Sequence, residues 1–336
     1  MIKRTLYFGN PSYLSLRDAQ LIVRLPEVES LTPNETSPQP SPFGVGVNAG
    51  NELFEKWKKE AVATIPIEDV GIVILDHKQI TITQALIEAL LDNNVALITC
   101  DKTHHPTGLM LPLSGNTIQT ERFRAQIDAT EPLKKQLWAQ TVTQKIRNQA
   151  ANFKDLKLEN TYFTPYIRNV KSGDTDNCEA TAASYYWANI LSTPILGKQF
   201  ENVSFKRNRE GLPPNNYFNY GYALLRATMA RSIVGAGLIP TLGIFHRNKY
   251  NAYCLADDLM EPYRPLVDKV VIEIIKEHGL DEGISKEIKI EMLKIPAMDV
   301  MLDGEKSPLM NATQRTAVSL VKCFIGEQRK IFYPEM

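Results

Sequence analysis

No apolar run in this chain reaches the length of about 20 residues that a membrane-spanning helix requires, and no basic stretch leading into an apolar segment marks a secretory leader. Charge of either sign is not in excess: 38 Lys and Arg face 38 Asp and Glu. The balance excludes a global field that would gather a polyanion, so a nucleic-acid surface here has to be a local patch offset by acid elsewhere. Cysteine is scarce. Cys100, Cys178, Cys254 and Cys323 are widely separated and form no CxxC or Cys/His group, which excludes a zinc cluster and a disulfide framework. They read as small core residues in a reducing compartment. Together these absences predict a cytoplasmic protein with no membrane partner.

What is present is ordinary for a globular chain: 336 residues, 43% hydrophobic and 23% charged, enough for two domains with their own cores. Lys3 to Phe8 and Gln20 to Leu25 are short β-rich runs separated by the turn signal Gly9-Asn10-Pro11. From Thr32 to Asn51 the composition shifts to Pro, Ser, Asn and Gly, which predicts a surface loop or insertion. A short polar helix is expected at Glu52 to Ala61. Val70 to Leu75 and Val95 to Cys100 read as buried strands, and between them Thr83 to Asn93 is an amphipathic helix with Thr83 as N-cap and Leu86, Leu90 and Leu91 inward.

After His104-His105-Pro106-Thr107-Gly108 the hydrophobic period changes from two to about 3.6 residues. Helices are predicted at Glu121 to Asp128, Leu133 to Ala151, Cys178 to Leu191, Tyr220 to Val234, Leu255 to His278, Ser285 to Leu293 and Pro308 to Gly326, the last behind a Ser307-Pro308 start signal. Pro262 and Pro265 predict a kink or late start within the fifth of these. The fold class is therefore α+β: a small β-rich domain over residues 1–105 and a larger α-helical one over residues 106–336.

One stretch carries the densest chemistry, His246 to Asp268. His246 ends the apolar run TLGIF, expected as a short strand. Asp258 and Glu261, three apart, share a helix face. Two carboxylates and one imidazole on two elements suit Mg²⁺ or Mn²⁺; equally, acidic pairs at this spacing are common on solvated helices. Glu179 stands three residues after Asp176, which is capping-box spacing. Its helix is also lined by Ala180, Ala182 and Ala183, which would let another helix or a substrate come close, and the spacing does not choose. Lys206, Arg207 and Arg209 lie near Tyr217, Phe218 and Tyr220, an interleaving suited to a nucleic-acid backbone or simply to a solvated face. Arg226 and Arg231 would extend that strip toward His246. His77, His104 and His105 read as turn residues, and Trp138 as part of a helix core stripe.

These segments, RTLYFGNPSYLSL, IPIEDVGIVILDHKQITITQALIEALLDNNVALITCD, NCEATAASYYW, FKRNREGLPPNNYFNYGYALLRA and His246 followed by LADDLMEPYRPLVD, occur in an order that resembles the CRISPR-associated adaptation integrase family, the first numbered Cas protein, in its type II-like form. The resemblance implies a β-sandwich-like N-terminal domain, a helical catalytic domain and a homodimer. It also implies a small ferredoxin-like adaptation partner that bridges two such dimers. By the same resemblance Glu179, His246 and Glu261 are the metal ligands, with Asp258 a further acidic position beside the Mg²⁺ or Mn²⁺. The implied activity is DNA endonuclease and integrase chemistry, a 3′-hydroxyl attacking a phosphodiester at the edge of a repeat, with Lys206, Arg207, Arg209, Arg226 and Arg247 against DNA phosphates. A non-catalytic DNA-binding scaffold of the same adaptation complex and an unrelated hydrolase of small phosphoesters are the alternatives.

Overall fold

The computed structural model describes residues 3–25, 62–191, 205, 207–208, 213–280 and 283–336. The loop expected at Thr32 to Asn51, the helix expected at Glu52 to Ala61, and Lys206 and Arg209 lie outside the described residues.

Among the described residues, the first third builds two sheets of four strands each. One has β1 (Arg4–Phe8), β5 (Val70–Leu75), β7 (Ala96–Cys100) and β8 (Pro106–Met110) in that order. The other has β4 (Ala63–Pro66), β3 (Gln20–Arg24), β2 (Ser12–Arg17) and β6 (Ile80–Ile82). The β2–β3 hairpin turns on Asp18 and Ala19, both with positive φ (50° and 57°), a two-residue connection of the kind whose twist suits antiparallel strands. Strands β5 and β7 are parallel, so the chain must cross over between them. It does so through helix α1 (Gln84–Asp92), whose N-cap Thr83 accepts a hydrogen bond from the Leu86 amide.

Alternation of side chains explains why the strands of the first sheet are apolar on both faces. Val73 and Leu97 point into a core shared with Leu14, Leu21, Leu86 and Leu90 between the sheets, while Ile72, Ile74, Ala96 and Ile98 join a second, larger core made mostly of helices. One sheet thus supports both parts of the molecule. The expected boundary at residue 105 falls between β7 and β8, which are hydrogen-bonded antiparallel neighbours, so this sheet continues to Met110.

The helical part contains α2 (Gln119–Asp128), α3 (Glu131–Asp155), α4 (Thr164–Asn169), α5 (Cys178–Asn189), α6 (Asn215–Gly235), α7 (Cys254–Met260), α8 (Arg264–His278), α9 (Lys286–Met292) and α10 (Leu309–Phe324). Helix α6 is buried around much of its circumference and packs against α7, α8 and α10, which is what a core helix without a polar face does. It starts at Asn215, earlier than the periodicity suggests, because Tyr217, Phe218 and Tyr220 belong to its buried surface. Their aromatic rings are core, a correction to the idea that they interleave with the basic residues on a stacking surface. The predicted helix from Leu255 to His278 is broken by a 3-10 turn at Glu261–Tyr263, with Pro262 inside it and Pro265 opening α8. The second part is not all-α: β9 (Asp299–Leu302), β10 (Glu305–Pro308) and β11 (Pro334–Glu335) form a small antiparallel sheet. Pro308 closes β10 and α10 begins one residue later. The four cysteines are free, and three of them are buried, as their spacing predicts.

Candidate active site

Helix α3 is the floor of the site. Its buried positions include Trp138, Thr141, Lys145, Asn148 and Asn152, a stripe at three- and four-residue spacing that turns polar as it passes under α5 and the 261–263 turn. Thr130 caps this helix at the Leu133 amide, and Asn148 and Asn152 donate side-chain hydrogen bonds to the carbonyls of Pro262 and Pro265 at 2.7 Å each. A backbone carbonyl has two lone pairs, so each of these can accept an asparagine N–H whatever else it bonds. The break in the helix after Met260 is therefore held against α3 in one orientation.

That arrangement brings Glu179 and Glu261 to a single ammonium. Lys145 Nζ donates to Glu179 Oε1 and sits 2.5 Å from Glu261 Oε2. Arg264 Nε approaches Glu261 Oε1 at 3.0 Å, and its guanidinium lies 4.7 Å from the centre of the Tyr222 ring. Burial opposes ionisation of Glu261, but Arg264 and Lys145 outweigh it and hold the carboxyl below its usual range. Burial likewise works against the Lys145 ammonium, and the two glutamates overcome it and raise its pKa. Glu261 Oε2 is buried, and the Lys145 ammonium is the group that meets it.

Glu179 is free to reach inward because another residue caps its helix. The Cys178 and Glu179 amides donate to the two oxygens of Asp174 at 2.9 and 3.0 Å, while Asp176 pairs with Lys171 at 2.7 Å. The capping-box reading of Asp176 and Glu179 is thereby corrected: the cap is Asp174, buried and five residues upstream of the glutamate.

His246 does not end a strand. It sits in an irregular loop tied down by Asp258, whose carboxylate is fully buried. Asp258 accepts from the Phe245 amide at 2.9 Å, the His246 amide at 3.2 Å and His246 Nδ1 at 2.5 Å. The hydrogen bond that His246 donates to Asp258 raises the pKa of the imidazole, and burial raises that of Asp258, so the pair retains its shared proton to higher pH than either group alone would. With Nδ1 committed to the carboxylate, Nε2 is the ring atom available to a ligand. Trp138 stacks flat on Phe245 with ring centres 4.2 Å apart and meets the imidazole edge-on at 5.6 Å, so the expected core residue is also a wall of the site. Gly243 is required by close approach. A Cβ there would stand 2.5 Å from the His246 carbonyl oxygen and 2.6 Å from Asp258 Oδ2.

The loop also borders a cavity of about 440 Å³, lined among others by Gln126, Glu131, Lys134, His246, Arg247 and Lys249. A second cleft of about 310 Å³ gathers Arg207, Arg226 and Arg264 with His105. Of the arginines named from the sequence, Arg207, Arg226 and Arg247 already have partners. Arg207 donates to Asn215 and Asn219 and lies over the rings of Trp187, Phe218 and Tyr222. Arg226 pairs with Asp257 at 2.7 Å, and Arg247 with Glu131 at 2.5 Å. Arg231 is buried within α6. Among the histidines outside the site, His77 accepts from the Gln79 amide in its turn at 3.1 Å, and His104 is no free surface residue: its Nδ1 lies 2.8 Å from the buried Asp76.

Of the three residues that the resemblance offers as metal ligands, Glu179 and Glu261 converge on Lys145, and His246 is near enough to Glu261 for each to shift the other's proton affinity. They do not form a closed ligand cage. Among the described residues, the group of three whose candidate ligand atoms all lie within 4.8 Å of one another is Glu277, His278 and Glu291, on a different surface. Sequence reasoning missed Lys145, Arg264 and Asp174. The signal for Lys145 was a lysine on the buried stripe of an otherwise regular amphipathic helix.

The two-sheet β module carrying a helical lobe is a fold shared with proteins of known structure. A casposase bound to an integration product superposes with a TM-score of 0.71 at 19% identity, covering 98% of this chain and 92% of that one. A Cas1 protein from Thermotoga maritima superposes at 0.69 with 15% identity, covering 99% and 100%. In sequence, residues 45–292 match the family model described as CRISPR associated protein Cas1, and the chain belongs to that family. A relative named CRISPR-associated endonuclease Cas1, from Neisseria meningitidis serogroup C (strain 8013), is 36% identical over 76% of this chain and 81% of its own length.

Proposed function

We propose that this chain is a divalent-metal-dependent DNA endonuclease and integrase that inserts short foreign DNA fragments into a CRISPR array. Family membership and the name of the Neisseria relative support the reaction class. The observation that carries the reading to particular residues is the meeting of Glu179 and Glu261, far apart in the chain, on one buried ammonium beside the imidazole that Asp258 orients. Two carboxylates, one of them buried, and an imidazole with Nε2 available are a donor set that Mg²⁺ or Mn²⁺ accepts.

In this reading Glu179, His246 and Glu261 hold the ion, and Asp258 is a positioning residue that fixes the imidazole tautomer. Bound there, a divalent ion supplies Lewis-acid polarisation of a phosphodiester and charge stabilisation for the departing 3′-oxygen. The protein's own groups bind and orient. Arg226, Arg247 and Arg207 lie along clefts that a DNA backbone would follow, exchanging their present partners for phosphates, with Lys206 and Arg209 as further contacts. Trp138 and Phe245 shield one side of His246 from water. As the bond from phosphorus to the incoming 3′-oxygen forms, the bond to the repeat's own 3′-oxygen breaks; one phosphodiester replaces another, and no external energy source is consumed. With water in place of the hydroxyl, the same geometry hydrolyses DNA. A homodimer joined by a small ferredoxin-like partner that bridges two dimers belongs to the same reading.

Strand transfer and cleavage of a labelled repeat duplex, measured for Glu179→Ala, His246→Ala and Glu261→Ala, test it. Each variant is expected to lose at least 100-fold in rate, within the range seen when catalytic groups are removed, and to remain folded. A folded His246→Ala protein that joins strands at the wild-type rate removes that residue from the site.

A further inference from the structure

The site contains a cation of its own. Lys145 lies on the core face of α3 and is only 7% exposed. Its ammonium occupies the space between the inner oxygens of Glu179 and Glu261. With Arg264 on the other oxygen of Glu261, two carboxylates face two cationic side chains, and these charges balance. Resting on the metal-site reading above, we propose that Lys145 is a resident counter-ion that holds the ligand pair ready, and that the lysine ammonium and a divalent ion exclude one another there.

Geometry and charge both require the exchange. A divalent ion of this kind takes its oxygen ligands at roughly 2.1 Å, and the oxygens it would use are those that the ammonium touches. Holding both would put three positive charges within a few ångströms in a buried space, where repulsion is poorly screened. The ammonium, on a flexible four-carbon stem, is the group that can leave. Leaving ends its hydrogen bond to Glu179 and its ion pair with Glu261, and the divalent ion takes over both carboxylates. The spread of Glu179, His246 and Glu261 beyond a closed cage fits a pair held by a long side chain, closing once that side chain withdraws. The balance also has a use. Without Lys145 the two glutamates would repel each other in the metal-free protein, and Arg264 alone would have to offset both.

The test is metal binding. Mn²⁺ is titrated calorimetrically into the full-length wild type, Lys145→Met, Lys145→Arg and Glu261→Ala, and thermal unfolding of each is followed with and without Mn²⁺. Lys145→Met is expected to bind Mn²⁺ at least tenfold more tightly, to melt lower than wild type without metal, and to gain more from Mn²⁺. Lys145→Arg, which restores a cation, is expected to bind near or below wild type. Lys145→Met affinity equal to or weaker than wild type overturns the proposal, because the ammonium then does not compete. If Lys145→Met does not fold, the wild type decides: in protein labelled with ¹⁵N-lysine, Mg²⁺ is expected to move the Lys145 Nζ resonance away from its ion-paired position, and an unmoved resonance in metal-loaded protein overturns the proposal. The underlying reading fails separately. If wild type binds no Mn²⁺, or Glu261→Ala binds it as wild type does, the metal site itself is wrong whatever Lys145 does.

Discussion

Replacing Asp258 by Asn changes one atom and tests whether the His246 loop is built on a single buried carboxylate. In the native arrangement Oδ1 accepts from the His246 amide and from Nδ1, and Oδ2 accepts from the Phe245 amide at 2.9 Å. Asparagine has one accepting oxygen. If it faces His246, its NH₂ faces the Phe245 N–H, donor against donor, in a position that is completely buried. An orphaned buried amide costs about 1–3 kcal/mol, and the bond to the imidazole drops from a charge-assisted to a neutral one, about 1 kcal/mol more. The expected loss is about 2–4 kcal/mol, read as a lowered urea midpoint at unchanged slope. Loss of an outer-sphere partner to a ligating histidine typically weakens metal affinity by about 10–100-fold, so Mn²⁺ binding should fall into that range while the loop still forms. A variant within about 0.5 kcal/mol of wild type, with unchanged Mn²⁺ affinity, would refute the reasoning, since neither the amide nor the imidazole would then depend on the carboxylate.

Gly243→Ala should damage the same loop from outside the ligand set, because the new methyl group meets the His246 carbonyl and the Asp258 carboxylate; a loss of about 1–3 kcal/mol is expected, with strand transfer falling alongside, and a variant with native stability would show that the loop has slack. Asp268 is buried against the hydroxyls of Tyr222 (2.5 Å) and Tyr186 (3.1 Å), and burial pushes its carboxyl from the ordinary 3.8 up to about 7. Between those values the folded protein holds a proton that the unfolded chain releases, so stability falls as pH rises through this window, by up to about 4 kcal/mol at 1.36 kcal/mol per pH unit. Asp268→Asn removes that slope. Denaturation curves of wild type and variant from pH 4 to pH 8 should diverge accordingly, and parallel curves would place the Asp268 carboxyl near its ordinary value.

Much of this molecule was legible in its sequence, and for identifiable reasons. Helix α1 and strand β5 lie where period, capping and apolar run place them, since Thr83 acts within one turn and the unbroken apolar run of Val70 to Leu75 is a local signal. The break at Pro262 and the free, mostly buried cysteines follow from the chemistry of single residues. Ordered motifs sufficed to place the chain in the Cas1 family, and that resemblance offers Glu179, His246, Asp258 and Glu261 as site residues.

Tertiary structure alone decided what those residues touch. Nothing local distinguishes Asp174 from Asp176 as the cap of α5, and the choice determines whether Glu179 closes its own helix or reaches Lys145. The helical period puts Lys145 on the stripe that runs through Trp138, but it does not say what the ammonium meets; Lys145 becomes a buried counter-ion because α3 turns that face beneath two carboxylates brought from elsewhere. Tyr217, Phe218 and Tyr220 look like a stacking surface until α6 is seen to be surrounded. Periodicity records how a segment meets water. Which distant side chain fills the other half of an ion pair depends on how helices cross, and that is a property of the packed whole.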